Sequence, residues 1–222
     1  MGPMGEPSES SGTPDRPKGG RKGRFEAFSD GVFAIAATLL VLDLAIPVTS
    51  YSTRHLLDAF GHEWPGYLGY VVSFATIGAV WLGHNAITDY LDRTDSTLIR
   101  LNLLLLLVVA FLPYPTRLMA SYLNQGDAER VASTIYGLTL LAAAALLDLL
   151  WRYALHAQLI RPDTSDEEVT LLSQRLTPGL AGYAVLIVIG IFVPILAVVG
   201  YFLIALFFLL PVRTSLSRRS RS

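Results

Sequence analysis

The 222 residues are 52% hydrophobic and only 16% charged, with no cysteine and a formal net charge of -1, and the mean hydropathy is +0.48. Such a composition excludes an ordinary soluble domain, and the missing thiols exclude disulfides, thiolate metal ligation and cysteine nucleophiles. The apolar residues gather into runs that approach the roughly 20 residues needed to cross about 30 Å of hydrocarbon, which predicts an all-α integral membrane protein.

Residues 1–23 are rich in Gly, Pro and Ser and cannot bury a core, so they read as a disordered cytoplasmic tail. The first apolar run follows a basic stretch as a signal peptide would, but it is too long, ends in Asp43 and is followed by further spans. Glu6 stands where N-myristoylation needs Ser or Thr.

The first span is predicted over residues 25–46, stopping before Pro47. A second covers residues 65–86, with Trp64 and Trp81 near opposite ends as interfacial anchors. A third starts near Thr97 and is broken near Pro113 and Pro115, and a fourth covers residues 131–153. The last apolar block, residues 179–210, would reach about 48 Å as one helix, so Pro194 and Gly200 divide it into two short spans. Upstream, Ser165 and Glu168 have capping-box spacing with Asp166 and Glu167 in the first turn, so the fifth helix is expected to begin as early as Asp166. The chain thus divides into the tail, a six-helix transmembrane domain over residues 24–212 and a basic cytoplasmic tail over 213–222.

Six spans place both termini on one side. Fourteen of the 17 Lys and Arg residues fall on that side, against Arg54, Arg117 and Arg130 on the other. By the positive-inside rule both termini are cytoplasmic, in the cell membrane.

At the mouth of the first span stand Arg24, Ser29 and Asp30, costly residues at that depth unless partnered. At 100° per residue Thr38, Leu39, Leu42 and Ile46 all lie within about 60° of Ile35, and Phe28 and Gly31 extend this stripe. Asp30 lies about 140° away and Ser29 about 120° away, facing neighbouring helices. Arg24, His84, Asn85 and Asn102 are the candidate partners for the Asp30 carboxylate. Ordinary helix packing would produce the same stripe, and Thr38 could simply bond back to a carbonyl one turn earlier.

Arg24-x-x-x-Phe28-Ser29-Asp30, followed by Ile35 and Thr38, then Trp81-x-x-His84, Asn102 and Pro113, resembles the signature of the endosomal and lysosomal potassium channel family (transmembrane protein 175) in its bacterial, single-repeat form. The resemblance covers residues 24–115. It implies a homotetramer whose four first helices surround a central pore that passes potassium passively. Ile35 would form the tightest ring, with Leu39 and Leu42 as further apolar rings and Thr38 adding hydroxyls, so permeating K+ would pass near Ile35 and Thr38. Arg24, Phe28, Ser29, Asp30, Trp81, His84 and Asn102 would form the network holding the first helix. An apolar ring of this kind gates by dewetting. The rival readings are a proton-coupled transporter, in which His84 and Asp30 relay protons, and a non-conducting scaffold.

Other candidate chemistry is weaker. Val199-Gly200-Tyr201 is similar to a carbonyl filter, but Val198 and Phe202 replace its threonine and final glycine inside an unbroken apolar run. His55, Asp58, His62 and Glu63 lack the spacing of a closed zinc site and read as a solvated loop. Asp163, Asp166, Glu167 and Glu168 read as helix capping, and Asp148 is placed to pair with Arg152. No nucleophile elbow or catalytic metal motif is present, so no enzyme activity, cofactor or resident metal is expected. The expected partners are the chain itself and membrane lipids facing the basic tails, with no nucleic acid.

Overall fold

The structure, a computed structural model, describes residues 19–44, 61, 63–123 and 125–210. Among them are α1 (Gly19–Leu39), a 3-10 turn (Leu40–Asp43), α2 (Trp64–Tyr90), α3 (Ser96–Phe111), α4 (Pro113–Tyr122), α5 (Asp127–His156), α6 (Asp166–Phe192) and α7 (Pro194–Leu209). No strand occurs among the described residues; a single antiparallel bridge joins Leu91 and Ile160. Five segments are long and apolar enough to cross a membrane, with α3 and α4 counting as one, and α7 is a shorter apolar helix of 16 residues. The protein is an all-α, multi-pass membrane protein.

Helix ends follow local chemistry. Asp95 caps α3 by accepting from the Leu98 N–H at 2.7 Å. Ser165 and Glu168 form the expected reciprocal capping box on α6. Pro113 and Pro194 each open a helix at a position that needs no N–H donor. The last apolar block breaks only at Val193–Pro194. Gly200 stays helical, because its bare Cα lets the Leu186 side chain of α6 press against α7.

Four boundaries depart from expectation. α1 begins at Gly19, so residues 19–23 belong to the helix rather than to the tail. It ends at Leu39, where tighter 3-10 geometry takes over instead of one helix reaching residue 46; a closing 3-10 turn is a common way to satisfy the last carbonyls. α2 runs on to Tyr90 and α5 starts at Asp127, each beyond its apolar core. Residues 1–18, Ile46, Pro47, Arg54, His55, Asp58, His62 and the C-terminal tail lie outside the described residues.

α5 is the centre of the bundle and packs on α3, α4 and α6, while α7 sits against α2 and α6. α1 leans on α3 and α2. The largest fully buried side chains, Trp151, Tyr136 and Tyr201, come from α5 and α7. Tyr201 enters the seam between α5 and α6, and Gly137 gives its ring the necessary room.

One end of the bundle is laced together by polar contacts. The Arg161 N–H donates to Tyr90 O at 2.9 Å and the Asp92 N–H to Leu159 O at 2.9 Å, joining the α2–α3 and α5–α6 turns. Lys22 Nζ reaches Leu91 O at 2.7 Å, which ties the start of α1 to the same turn. Arg175 donates to Phe208 O and Leu210 O, capping the free carbonyls that end α7. Tyr153 donates to the Asp95 carboxylate. Within the membrane boundary, Asp148 accepts from Arg152 as expected, and also from Thr177.

Two predictions arise here. Gly137→Ala drives a methyl into the Tyr201 hydroxyl and should cost about 1–3 kcal/mol, read as a lowered melting temperature in detergent, whereas Gly23→Ala, with open space around it, should not. Burial pushes the Asp95 carboxyl up, but the bonds it accepts from Tyr153, Leu98 and Thr97 outweigh this and leave its pKa below the usual value. A depressed folded pKa stabilises fully above the unfolded value of about 3.9 and is lost as pH falls through the folded one. Acid melting curves of the protein should therefore steepen below about pH 4, and Asp95→Asn should flatten that dependence while lowering stability at pH 7.

Candidate functional site

α1 has two chemically distinct faces. Phe25, Ser29, Phe33, Ala36 and Leu40 recur every three to four residues and are buried against α2 and α3. Phe28, Ile35, Leu39 and Leu42 lie on the other side, with Ile35 61% and Leu42 71% exposed. Thr38 stands on this exposed side too, its hydroxyl donating to Ile35 O at 2.9 Å.

The buried face carries a hydrogen-bond chain whose direction is fixed link by link. Ser29 Oγ donates its only proton to Phe25 O at 2.9 Å. It must therefore accept from Asn102, whose Nδ2 lies 2.9 Å away. That orientation turns Asn102 Oδ1 toward His84, so His84 Nε2, at 2.9 Å, is the donor. The rings of Phe25 and Phe33 flank the imidazole at centroid distances of 5.9 and 5.5 Å. α1, α2 and α3 are thus pinned by one chain in which every member is buried.

Asp30 lies outside this chain. Its carboxylate accepts from Trp81 Nε1 at 2.9 Å, in place of the expected Arg24, His84, Asn85 or Asn102. A tryptophan N–H is a neutral donor that a search for charged or amide partners passes over, and Trp81 lies three residues, almost one turn, before His84 on α2. Arg24 is exposed near the start of α1. Phe28 stands with the Ile35 stripe and away from Ser29.

Sequence reasoning missed Phe25 and Phe33 as walls of the His84 cage, although both share the helical face of Ser29. It also missed a second buried polar knot, where Ser73 Oγ lies 2.7 Å from Thr116 Oγ1 and 3.0 Å from the Tyr136 hydroxyl. No group of His, Asp and Glu side chains able to hold a metal occurs among the described residues.

Residues 24–113 match the family described as endosomal/lysosomal potassium channel TMEM175. A potassium channel of Streptomyces collinus is 38% identical over 187 residues, 84% of this chain and 90% of the relative. The chain belongs to the TMEM175 family. Another TMEM175 relative, a potassium channel of Chamaesiphon minutus, is 38% identical over 200 residues, covering 88% of this chain and 97% of the relative. The fold also matches the crystal structure of a lysosomal potassium-selective TMEM175 homologue from Chamaesiphon minutus, with a TM-score of 0.77 and 36% identity over 85% of this chain and 96% of that one. The TMEM175 of Gallus gallus, named an endosomal/lysosomal proton channel, is 33% identical over 141 residues, which are 60% of this chain but only 28% of the animal protein.

The directional chain makes a prediction. Asn102→Ala strands the His84 Nε2–H in an apolar cage and takes from Ser29 the donor it accepts, costing about 1–2 kcal/mol. Differential scanning fluorimetry in detergent should show melting lowered by roughly 3–6 °C.

Proposed function

We propose that the chain is one subunit of a homotetrameric potassium channel of the cytoplasmic membrane, with both termini cytoplasmic. The observation that carries this reading is the exposed Ile35, Thr38, Leu39 and Leu42 stripe on α1, opposite the face held by Ser29, Asn102 and His84. The potassium-channel relatives support the ion, and the fourteen basic residues on one side support the orientation. The family is one of ion channels, not enzymes.

Around a fourfold axis the stripe becomes rings. Four Ile35 side chains form a constriction that excludes water when narrow, closing the path without a plug, and Leu39 and Leu42 lengthen the apolar section. Thr38 supplies oxygen beside the constriction, so K+ in transit meets hydroxyls next to Ile35. Arg24 and Asp30 sit at the cytoplasmic mouth, Asp30 held by Trp81. No cofactor takes part. Membrane lipids are the remaining partner, their anionic heads facing the basic tails.

Two experiments test this. Purified protein in liposomes should pass potassium passively and faster than sodium. Ile35→Asn, which wets the constriction, should raise flux at least about tenfold, equivalent to removing 1.4 kcal/mol of barrier, and Thr38→Ala should narrow the potassium preference. Flux only under an imposed proton gradient would replace the channel by a coupled transporter, and proton-selective flux would align the chain with its animal relatives. The absence of native cysteine allows a second test: cysteine at position 35 should react with a water-borne thiol reagent, and cysteine at the buried position 36 should not. Equal reactivity at both would remove the stripe from the pore.

A further inference from the structure

Besides the α1 stripe, α2 and α3 each leave one face uncovered. Both pack on α1 rather than on each other, so they flank it on its two sides. The uncovered face of α2 carries Phe74 and Leu82, 49% and 39% exposed, and ends in Asp89. That of α3 begins with Arg100 and continues through Leu104 and Phe111, 49% and 48% exposed. Each set recurs at whole turns of its helix and so shares one side of it. Asp89 and Arg100 are both exposed, and neither makes a hydrogen bond or ion pair among the described residues. The two faces also match in depth. α2 and α3 are successive spans joined by the short turn of residues 91–95, so they run in opposite directions. At 1.5 Å per residue Leu82 stands about 12 Å from the end of α2, and Leu104 about 12 Å from the start of α3. Phe74 and Phe111 follow at about 24 and 22 Å. Asp89 and Arg100 lie at about 2 and 6 Å, a difference that an arginine side chain spans.

We propose that the α3 face of one subunit docks on the α2 face of the next copy of this chain, with Arg100 paired to the partner's Asp89. The pairing rests on the homotetramer proposed above and names the contact that closes it. The two faces are different surfaces of one chain, so each copy offers one and receives the other, and four copies close a ring. Apolar side chains gain little by exchanging lipid for protein, so the charges decide the partner. Anionic lipid heads answer Arg100 but repel Asp89, whereas a neighbouring copy satisfies both. Because α1 lies between the two faces, a ring closed through them turns the Ile35 stripe toward the axis.

The chain has no native cysteine, so introduced pairs report on the contact directly. In the Asp89→Cys, Arg100→Cys double variant a short bismaleimide should link subunits into a ladder ending at four on denaturing gels, while each single variant stays unlinked. Arg100→Glu should raise the concentration at which half the tetramer dissociates in detergent at least about tenfold. Adding Asp89→Arg to it should restore assembly, which a merely misfolded variant would not do. Linkage confined to one chain or stopping at two overturns the interface. So does an Arg100→Glu variant that assembles normally, as it would if Arg100 served lipid heads, or one that Asp89→Arg fails to rescue. In each of these cases a tetrameric wild type leaves the channel reading standing. A wild type that is monomeric at every concentration overturns the tetramer and the interface together.

Discussion

A polar group buried between helices in hydrocarbon has no water to fall back on, so its partner must come from a neighbouring helix. The chain from His84 through Asn102 to Ser29 meets that demand in only one direction, because the Ser29 proton is already spent on Phe25 O. Its consequence is rotational. A helix as apolar as α1 could turn about its axis at little cost in packing, since lipid and protein are comparably greasy. The bond from Asn102 to Ser29, on an Asn102 that His84 orients, and the separate bond from Trp81 to Asp30 oppose that rotation, and with them in place Phe28, Ile35, Leu39 and Leu42 face away from α2 and α3. The polar residues at the mouth of the span thus decide where the apolar ones point.

The rest of the fold supplies the frame against which α1 is held. α5, with Trp151 and Tyr136 fully buried, carries the contacts to α3, α4 and α6. Tyr136 also reaches Ser73 on α2, and Ser73 reaches Thr116 on α4, so a second polar knot fixes the helices behind α1 at another level. At the laced end, Lys22 and the backbone bonds of Tyr90, Leu91 and Asp92 hold the start of α1 to turns that α5 and α6 close. α1 is therefore restrained along its buried face and at its start, whereas its last turn passes into 3-10 geometry beside a polar cavity.

Much of this was legible in the sequence, for physical reasons that vary by residue. Span number follows from hydropathy because the bilayer sets the length. The start of α6 follows from Ser165 and Glu168 because a capping box is local. The separation of Asp30 and Ser29 from the Ile35 stripe follows from helix geometry alone. Partner identity does not, because it depends on the relative rotation of helices far apart in sequence. Asp30 to Trp81 spans 51 positions, and the donor is a neutral ring nitrogen that no charge pattern reveals. The cage of Phe25 and Phe33 around His84 was hidden for a similar reason, since a phenylalanine in an apolar run carries no mark of what it packs against. The 3-10 turn eluded prediction because Leu40-Val41-Leu42 is as compatible with α geometry as with the tighter winding.

The neighbouring positions Ile35 and Thr38 have opposite physics, and one hydrogen bond joins them. The Thr38 hydroxyl gives its proton to Ile35 O, so what it turns away from the helix is lone pairs only. On the proposed fourfold axis, four such oxygens form an acceptor ring that favours a cation and rejects an anion without any carboxylate. The same bond anchors the threonine rotamer to the backbone of Ile35, the residue proposed to form the apolar constriction. A displacement of α1 that widens the Ile35 ring therefore carries the Thr38 oxygens with it, and wetting and coordination change together. A serine in place of Thr38 would keep the oxygen but lose the γ-methyl that restricts χ1, so it separates the two contributions: conduction should persist while the preference for potassium weakens.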